Sequence, residues 1–505
     1  MLSHLDKQVN STIKTLKNIE REGEEIFSYP LKGQQRLTVL RLKQKNFFIN
    51  YSDTGAGKTK AAIASAYHLK LRHVFVLCPN SVKNTWHKQI LEANFINKDF
   101  VKIDELATGY SASDFVFEIF NYDKFNSEDR AFKRISAIAK SKRYDLIVFD
   151  EIHCLKNKDC NTYNNVMKFI KDVKKRNPDV KLLGATATPI TTSTRDLQGI
   201  YEMLSGKRAD ELDYGTTANK IINSNMVLET TGFGYFPKSK IQVRYNGINS
   251  EELFANNGKA IFKTELANID GSSIEKECIK NHDNLSKIER LHLNLKFDAY
   301  KHLIGKGTVI YTEYTYGDKI LFELKKLVED LGFSACIYSG NCKETDTDGE
   351  IIYLDDLGRR KTSLDEFVNH EKDVLIGTRS LYVGIDGIQD VSNRLILHTI
   401  PSVWAYFHQL VGRFDREGSN FVKEGVDIFV PMVVFHLGNG KTTSFDKRKW
   451  QSAMTTKIQH EGAVHGSIET KEFNKKTMID DVVKKLKNKY ELKETQRDDV
   501  NDFES

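Results

Sequence analysis

The spacing of apolar and polar positions changes character along the chain. In residues 1–28, Leu2, Leu5, Val9, Ile13, Leu16 and Ile19 recur at intervals of about three and four, with charged residues filling the gaps. That period predicts an amphipathic helix. From about residue 45 the pattern becomes short apolar runs separated by helix-period stretches. The runs are Phe47–Tyr51, His73–Cys78, Asp145–Phe149 and Lys181–Leu183, each bounded by Gly, Pro or charge. Continuous apolar runs between helices predict parallel strands buried on both faces. A second series follows from about 307, with Thr308–Tyr311, Ala335–Tyr338, Val374–Ile376, Arg394–His398 and Val426–Val430.

Between the two series, roughly 206–295, the period weakens. Polar, Gly-rich stretches such as Thr230-Thr-Gly-Phe-Gly predict an inter-domain segment with some helix. After about 440 the chain turns polar, with one amphipathic helix expected over Met478–Tyr490 and a frayed end over Asp498–Ser505. The organisation predicted is an N-terminal helical extension (1–28), a first α/β lobe (29–205), an inter-lobe segment (206–295), a second α/β lobe (296–435) and a partly flexible C-terminal extension (436–505). The two series share a layout, but no short fixed-period repeat is present.

Composition narrows the class. A chain of 505 residues fits two to four domains. The charge balance, 75 − 69 = +6, excludes a partner bound by bulk charge and leaves room for a local basic channel. With 40% hydrophobic and 29% charged residues the chain is of soluble globular type, and no apolar run reaches the roughly 18–20 residues of a membrane helix. Nor does the N-terminus carry a signal-type apolar stretch. The six cysteines form no C-x-x-C pair, which argues against structural zinc and a disulfide framework and for reduced thiols in a cytoplasmic setting.

The strongest local signal is Asp53-Thr-Gly-Ala-Gly-Lys-Thr59, between an apolar strand and a helix-like stretch. The first Gly of the eight-residue phosphate-loop pattern is replaced by Ser52. In this context Thr54, Gly55, Ala56 and Gly57 offer backbone N–H groups to a phosphate, Lys58 reaches the β- and γ-phosphates, and the Thr59 hydroxyl ligates Mg²⁺. The plainer reading, a Gly-rich turn, is weakened by the strand before it and the helix after it. A second signal, Asp150-Glu-Ile-His153, directly follows the strand ending at Phe149. There Asp150 is placed to hold the metal and Glu151 to orient or deprotonate water.

With these two elements on one chain, the sequence resembles superfamily-two helicases and translocases, whose second motif is the Asp-Glu-x-His box. Leu183-Gly-Ala-Thr-Ala-Thr-Pro-Ile190 is similar to their third motif, which implies a coupling role for Thr186 and Thr188. Gln35, 23 residues before Lys58, resembles the family's adenine-reading glutamine; Gln34 is its neighbour. Gln409-Leu-Val-Gly-Arg-Phe-Asp-Arg416 resembles the sixth motif, which implies that Gln409, Arg413 and Arg416 act at the γ-phosphate. Bidentate guanidinium groups suit the spread charge of phosphoryl transfer. Ile376–Asp386 is similar to the fifth motif and assigns Asp386 to the nucleotide side; Val309-Ile-Tyr-Thr312 is the fourth. The resemblance covers about residues 30–435 and implies two tandem RecA-like α/β lobes with parallel sheets and an ATP cleft between them.

Within the superfamily, Cys78-Pro-Asn-Ser-Val-Lys-Asn-Thr-Trp86, Thr188–Leu204, Phe236–Arg244 and Pro401-Ser-Val-Trp404 resemble the SWI/SNF-type translocase branch. Gly384-Ile-Asp386 is closer to phage and bacterial DNA helicases. The candidates for phosphate-backbone contact are Asn80, Ser81, Lys83, Asn121, Lys124, Thr312, Thr378 and Arg379, and such contacts carry little sequence preference. Trp86 and Trp404 can stack on bases, but buried packing is the favoured role for each. The resulting expectation is a monomeric ATP- and Mg²⁺-dependent DNA translocase or helicase of phage or viral type, acting on duplex or branched DNA, with no membrane partner. A motor subunit of a restriction or defence complex, an ATP-switched transcription or nucleic-acid-binding factor, and an RNA helicase remain as alternatives.

Overall fold

The structure, a computed structural model, describes residues 33–206 apart from breaks at 53, 127–129, 140 and 192–194. It also describes 262–464 apart from breaks at 282–284, 314–319, 340–342, 346–350, 354–356, 383–384, 402, 415–419, 422–425 and 439. Outside these it describes 26–27, 30–31, 244–245 and 248–249. The expected N-terminal helix, apart from residues 26–27, and the Met478–Tyr490 helix lie outside the described residues. Contacts divide the chain into two compact units, one holding residues up to 259 together with 458–471, the other 260–457.

The first unit is built on six strands: β1 (Phe47–Asn50), β2 (His73–Cys78), β3 (Val101–Ile103), β4 (Val116–Asn121), β5 (Leu146–Asp150) and β6 (Lys181–Ala185). They form one sheet in the order β1-β6-β5-β2-β4-β3, all parallel. Burial on both faces explains the unbroken apolar runs. Phe75, Leu77, Ile147 and Phe149 pack into one core layer. Their neighbours Val74, Val76, Leu146 and Val148 pack into the opposite one. Each such side chain contributes about 1.5–3 kcal/mol when fully buried.

Two of these strands were not among the expected runs. The short β3 carries little signal, and β4 holds a carboxylate in its centre. Glu118 is fully buried, and its Oε1 accepts the Ala107 N–H at 2.8 Å and an N–H of Lys142 at 2.5 Å. Its Oε2 accepts the Tyr144 hydroxyl at 2.7 Å. Burial alone raises this carboxyl, but His73 and Lys142 outweigh it and hold Glu118 below the usual carboxylate range.

In the segment that follows, β7 (Arg244–Tyr245) and β8 (Ile248–Asn249) form a small antiparallel hairpin. The second unit contains β9 (Phe262–Asp270), β10 (Thr308–Tyr311), β11 (Ala335–Tyr338), β12 (Lys343–Thr345), β13 (Ile351–Tyr353), β14 (Val374–Gly377), β15 (Arg394–Leu397), β16 (Val426–Gly438) and β17 (Lys441–Thr443). Seven of them make the sheet β11-β14-β10-β15-β16-β17 with β9 also on β16, while β12 and β13 pair separately. All neighbours in the seven-stranded sheet are parallel except β16 and β17. Both faces are again apolar, with Val309, Leu375 and Leu395 on one and Ile310, Ile376 and Ile396 on the other. The fold is therefore α/β with two parallel-sheet units of RecA-like type.

Strand β9 lies within the 206–295 segment read as inter-lobe. It runs alongside β16 from Val426↔Phe262 to Val434↔Asp270. Its Glu265, Leu266, Asn268 and Asp270 are exposed, so an edge strand of mixed polarity hides from a search for apolar runs.

Helix Leu285–Tyr300 and helix Phe445–Val464 are tied to this sheet by buried charge. Lys296 Nζ donates to Glu289 Oε2 at 3.1 Å, Asp446 Oδ1 at 2.8 Å and the His398 carbonyl at 3.0 Å. Lys449 donates to the other Glu289 oxygen, and Asp446 Oδ2 accepts the Val433 N–H at 3.0 Å. Glu289, His292 and Asp446 have ligand-type atoms within 4.8 Å of one another. Two ammonium groups, however, already balance the two carboxylates, so no cation is needed there. Burial raises the Glu289 carboxyl, yet the two lysines hold it well below its usual range. Burial pushes His292 down to about 4 and, with Lys296 beside it, His398 down to about 3.

Lys296→Met leaves two carboxylates against one ammonium and is expected to cost about 3–5 kcal/mol, read as a lower denaturation midpoint. The histidines give a pH signature with a defined sign. Their folded values lie below the ordinary value of about 6.5, so the unfolded chain takes up protons first as pH falls. Stability is complete above about pH 6.5 and falls as pH drops towards 4; a melting temperature that stays level over that window contradicts the buried, neutral state of both rings.

Candidate nucleotide and nucleic-acid site

The phosphate loop leaves β1 at Asn50 and enters helix α1 (Lys58–His68). Within it Gly55 has φ 75° and Gly57 φ 79°, the left-handed backbone that glycine adopts at little cost. A Cβ on Gly57 would stand 2.3 Å from Gln35 Nε2, so a side chain here would strain the backbone and push the end of Gln35 aside. Ser52 is fully buried, and its N–H donates to Asn50 Oδ1 at 3.0 Å. Asn50 in turn donates to Thr38 Oγ1 at 2.9 Å. The serine that replaces the pattern's first glycine thus anchors the loop from below. Thr38 and Asn50 were not anticipated from the sequence, because they act on the loop without belonging to its pattern.

Lys58 Nζ donates to the Ser52 carbonyl at 2.9 Å, so its ammonium lies along the loop. Gln35 is buried and donates to the Gly57 carbonyl at 3.2 Å. Its amide nitrogen therefore braces the loop in addition to any part it plays at a base. Thr54 and Thr59 are half-buried, Gly55 is exposed and Ala56 is buried.

The acidic box sits at the end of β5. Asp150 Oδ1 accepts the N–H of Glu151 at 3.1 Å, and Oδ2 accepts the indole N–H of Trp86 at 2.7 Å. Burial and the neighbouring Glu151 charge push the Asp150 carboxyl up to about 6, against the Trp86 hydrogen bond and the nearby Lys58. Glu151 has φ 50°, an uncommon left-handed conformation for a residue with a side chain, and it starts the turn Ile152–Leu155. Thr186, immediately beyond β6, donates to Glu151 Oε2 at 3.1 Å. Its hydroxyl lies 2.9 Å from His153 Nδ1 and accepts the Thr188 N–H at 3.1 Å. The second and third motifs are thus joined by one hydroxyl group. The hard oxygen donors available, the Asp150 carboxylate and the Thr59 hydroxyl, fit Mg²⁺.

The other candidates divide by exposure. Asn80, Ser81 and Lys124 are half-buried, while Asn121 is buried and donates to Asn80 Oδ1 at 3.1 Å. Lys83 is a correction to the expected phosphate contacts, since it is buried and its ammonium is held by Asp104. Trp86 is 1% exposed, which excludes base stacking for it in this conformation and agrees with the packing role.

In the second unit Arg379 is largely exposed, with its guanidinium 3.7 Å from Glu313. Thr312 and Thr378 are buried, and Thr378 donates to Ser339 at 3.3 Å. Asp386 Oδ1 accepts the Gly387 N–H at 3.1 Å and the Gln389 amide at 3.0 Å. Gln409 and Arg413 are buried, and Arg413 donates to the Ile385 carbonyl at 3.2 Å and to that of Tyr382. The sixth-motif arginine is thus gripped by the fifth-motif backbone. Trp404 stacks on His408 at 5.9 Å, with Lys457 over its ring. Arg416, Asp53 and Gly384 lie outside the described residues.

Gly57→Ala is expected to weaken nucleotide binding at least about tenfold, read by titration with a fluorescent nucleotide, since the methyl group strains the left-handed backbone and displaces the Gln35 amide that braces the loop. Thr186→Val removes the hydroxyl shared by Glu151 and His153. It is expected to lower the ATP turnover rate about tenfold with little change in nucleotide affinity; the reverse pattern would show that Thr186 serves binding.

Residues 3–191 match the family model described as type III restriction enzyme, res subunit. No curated protein is similar enough in sequence to count as a relative. Among solved structures, S. cerevisiae Dbp5 bound to RNA and ADP BeF3 is similar at 15% identity and a TM-score of 0.48, over 92% of this chain and 94% of that one. The Sulfolobus solfataricus SWI2/SNF2 ATPase core in complex with dsDNA is similar at 14% identity and a TM-score of 0.34, over 88% of this chain and 98% of that one. The family match covers residues 3–191, and both units carry the parallel α/β sheets that the sequence resemblance implies.

Proposed function

We propose that the chain is an ATP-driven motor that moves along DNA, with duplex or branched DNA as its track. The observation that carries this reading is the junction of Glu151, His153 and Thr186 at the strand ends beside the phosphate loop. A water-activating carboxylate bonded to a threonine of the third motif can pass the state of the nucleotide to the rest of the lobe.

In this reading the loop N–H groups and Lys58 hold the β- and γ-phosphates, and Gln35 reads the base. Thr59 and Asp150 hold Mg²⁺, which when bound neutralises developing charge on the phosphates. Glu151, steadied by Thr186, takes the proton of the attacking water. Gln409, Arg413 and Arg416 are assigned to the γ-phosphate, which requires Arg413 to leave the carbonyls of Tyr382 and Ile385. Asp386 is assigned to nucleotide binding. Asn80, Ser81, Asn121, Lys124 and Arg379 are assigned to the nucleic-acid backbone, and Thr312 and Thr378 are buried. DNA is favoured over RNA by the translocase-like segment Cys78–Trp86.

A second reading, the motor subunit of a restriction complex, is supported by the family matched over residues 3–191. It shares the site and differs in partner.

The test compares ATP turnover with no nucleic acid, single strands, duplex DNA, forked DNA and RNA. Duplex or forked DNA is expected to stimulate at least about tenfold, with a steep fall as salt rises. Stimulation by RNA alone would transfer the motor to RNA, and no stimulation by any of them would remove the motor reading. Glu151→Gln is expected to bind ATP and DNA normally and to hydrolyse at least about a hundredfold more slowly.

A further inference from the structure

Asp150 is held from two sides by aromatic side chains. Trp86 donates its indole N–H to the carboxylate at 2.7 Å, and Tyr122 donates its hydroxyl to the Asp150 main-chain carbonyl at 2.7 Å. Both rings are buried, Trp86 at 1% and Tyr122 at 8% exposure. A tryptophan N–H has no acceptor role and a fixed direction, so it fixes one carboxylate oxygen in place. The second oxygen accepts the Glu151 N–H.

The origin of the two rings matters as much as their target. Trp86 is in helix Lys83–Leu91, which directly follows the turn Asn80–Val82. Tyr122 opens the turn Tyr122–Phe125, directly after Asn121 at the end of β4. These are the two segments of the first unit that carry the candidate backbone contacts Asn80, Ser81, Asn121 and Lys124. They are also bonded to each other, Asn121 Nδ2 donating to Asn80 Oδ1 at 3.1 Å. The three hydrogen bonds make a closed triangle whose third corner is Asp150, met at its carboxylate by Trp86 and at its main-chain carbonyl by Tyr122. Rigid rings without slack link its sides, which suits transmission of a small displacement.

We infer that Trp86 and Tyr122 are positioning residues that set the Asp150 carboxylate for Mg²⁺ and couple its placement to the DNA-facing segments Asn80–Lys83 and Asn121–Lys124. The inference rests on the proposed function and specifies how the nucleotide and DNA sites of the first unit communicate. A displacement of either segment by bound DNA moves a ring; Trp86 then shifts the carboxylate directly, and Tyr122 shifts the main chain that carries it. By linkage, Mg²⁺ with nucleotide must alter DNA affinity by the same factor as DNA alters that of the nucleotide.

The test uses the full chain with Trp86→Phe, which removes the N–H and keeps a buried ring, and Tyr122→Phe, which removes one oxygen. Two equilibrium readouts need no turnover. The first is the Mg²⁺ concentration at half-maximal binding of a fluorescent ADP; the second is the ratio of duplex-DNA affinities with and without Mg²⁺ and a non-hydrolysable ATP analogue. Trp86→Phe is expected to raise the Mg²⁺ midpoint about tenfold, the size usual for losing a group that orients a metal ligand, with binding in EDTA unchanged. Either variant is expected to bring the DNA ratio at least about threefold closer to one, and the pair together less than the product of the singles. An unchanged Mg²⁺ midpoint and an unchanged ratio in both variants overturn the inference. Should Trp86→Phe lower the melting temperature too far for measurement, Tyr122→Phe decides alone: its unchanged ratio is equally fatal. Failure of the underlying reading shows separately, in wild-type protein whose nucleotide binding ignores Mg²⁺ or whose DNA affinity ignores nucleotide.

Discussion

The parallel register of β1, β6 and β5 is the constraint on which the site depends. Asn50 pairs with Ala185 and Ala185 with Asp150, so the three strands end at one level. At that level the phosphate loop, the Thr-Ala-Thr segment and the acidic box each begin where strand pairing stops. The Thr186 N–H still reaches back to the Asn50 carbonyl at 3.1 Å. A slip of one residue would exchange the two core faces of a strand and carry its motif off this common edge. Apolar packing on both faces holds the register, and thereby the distances between groups that are far apart in sequence.

Polar atoms next to the loop are held by a layer that does no chemistry itself. Ser52, Asn50 and Thr38 support the loop, Thr186 and His153 support Glu151, and Trp86 and Tyr122 support Asp150. Burial and the Glu151 charge raise the Asp150 carboxyl, and the Trp86 hydrogen bond offsets part of that rise. The left-handed Glu151 backbone belongs to the same design, because it turns the glutamate out of the strand direction towards Thr186.

Much of this was legible beforehand, for a definable reason. Strands buried on both faces are nearly continuous apolar runs, so β2, β10 and β11 were located with their observed limits, and β1, β5, β6, β14 and β15 within one or two residues. The Gly-Lys-Thr loop and the acidic box stand out because phosphate chemistry dictates such a spacing. What stayed hidden were strands and side chains whose role depends on distant partners. Strand β4 carries Glu118 in its middle, acceptable only because Lys142 and Tyr144 meet it there. The mixed polarity of β9 becomes sensible beside β16 alone. Lys83 reads in the sequence as a basic contact residue, because nothing local reveals that Asp104, 21 positions away, holds it. Trp86 reads as core, but no spacing in the sequence ties it to Asp150, 64 positions on.

The buried group of Lys296, Lys449, Glu289 and Asp446 also says something about how this sequence can change over time. Its two positive and two negative charges cancel only as a complete set. Each member lost alone strands an opposite charge in the core, whereas exchanging all four for apolar side chains of matching volume need not be costly. Single-step drift at these four positions is therefore blocked while a concerted replacement is open. They should be inherited together or replaced together, and an alignment of descendants would show them as a co-varying block spread across more than 150 positions of chain.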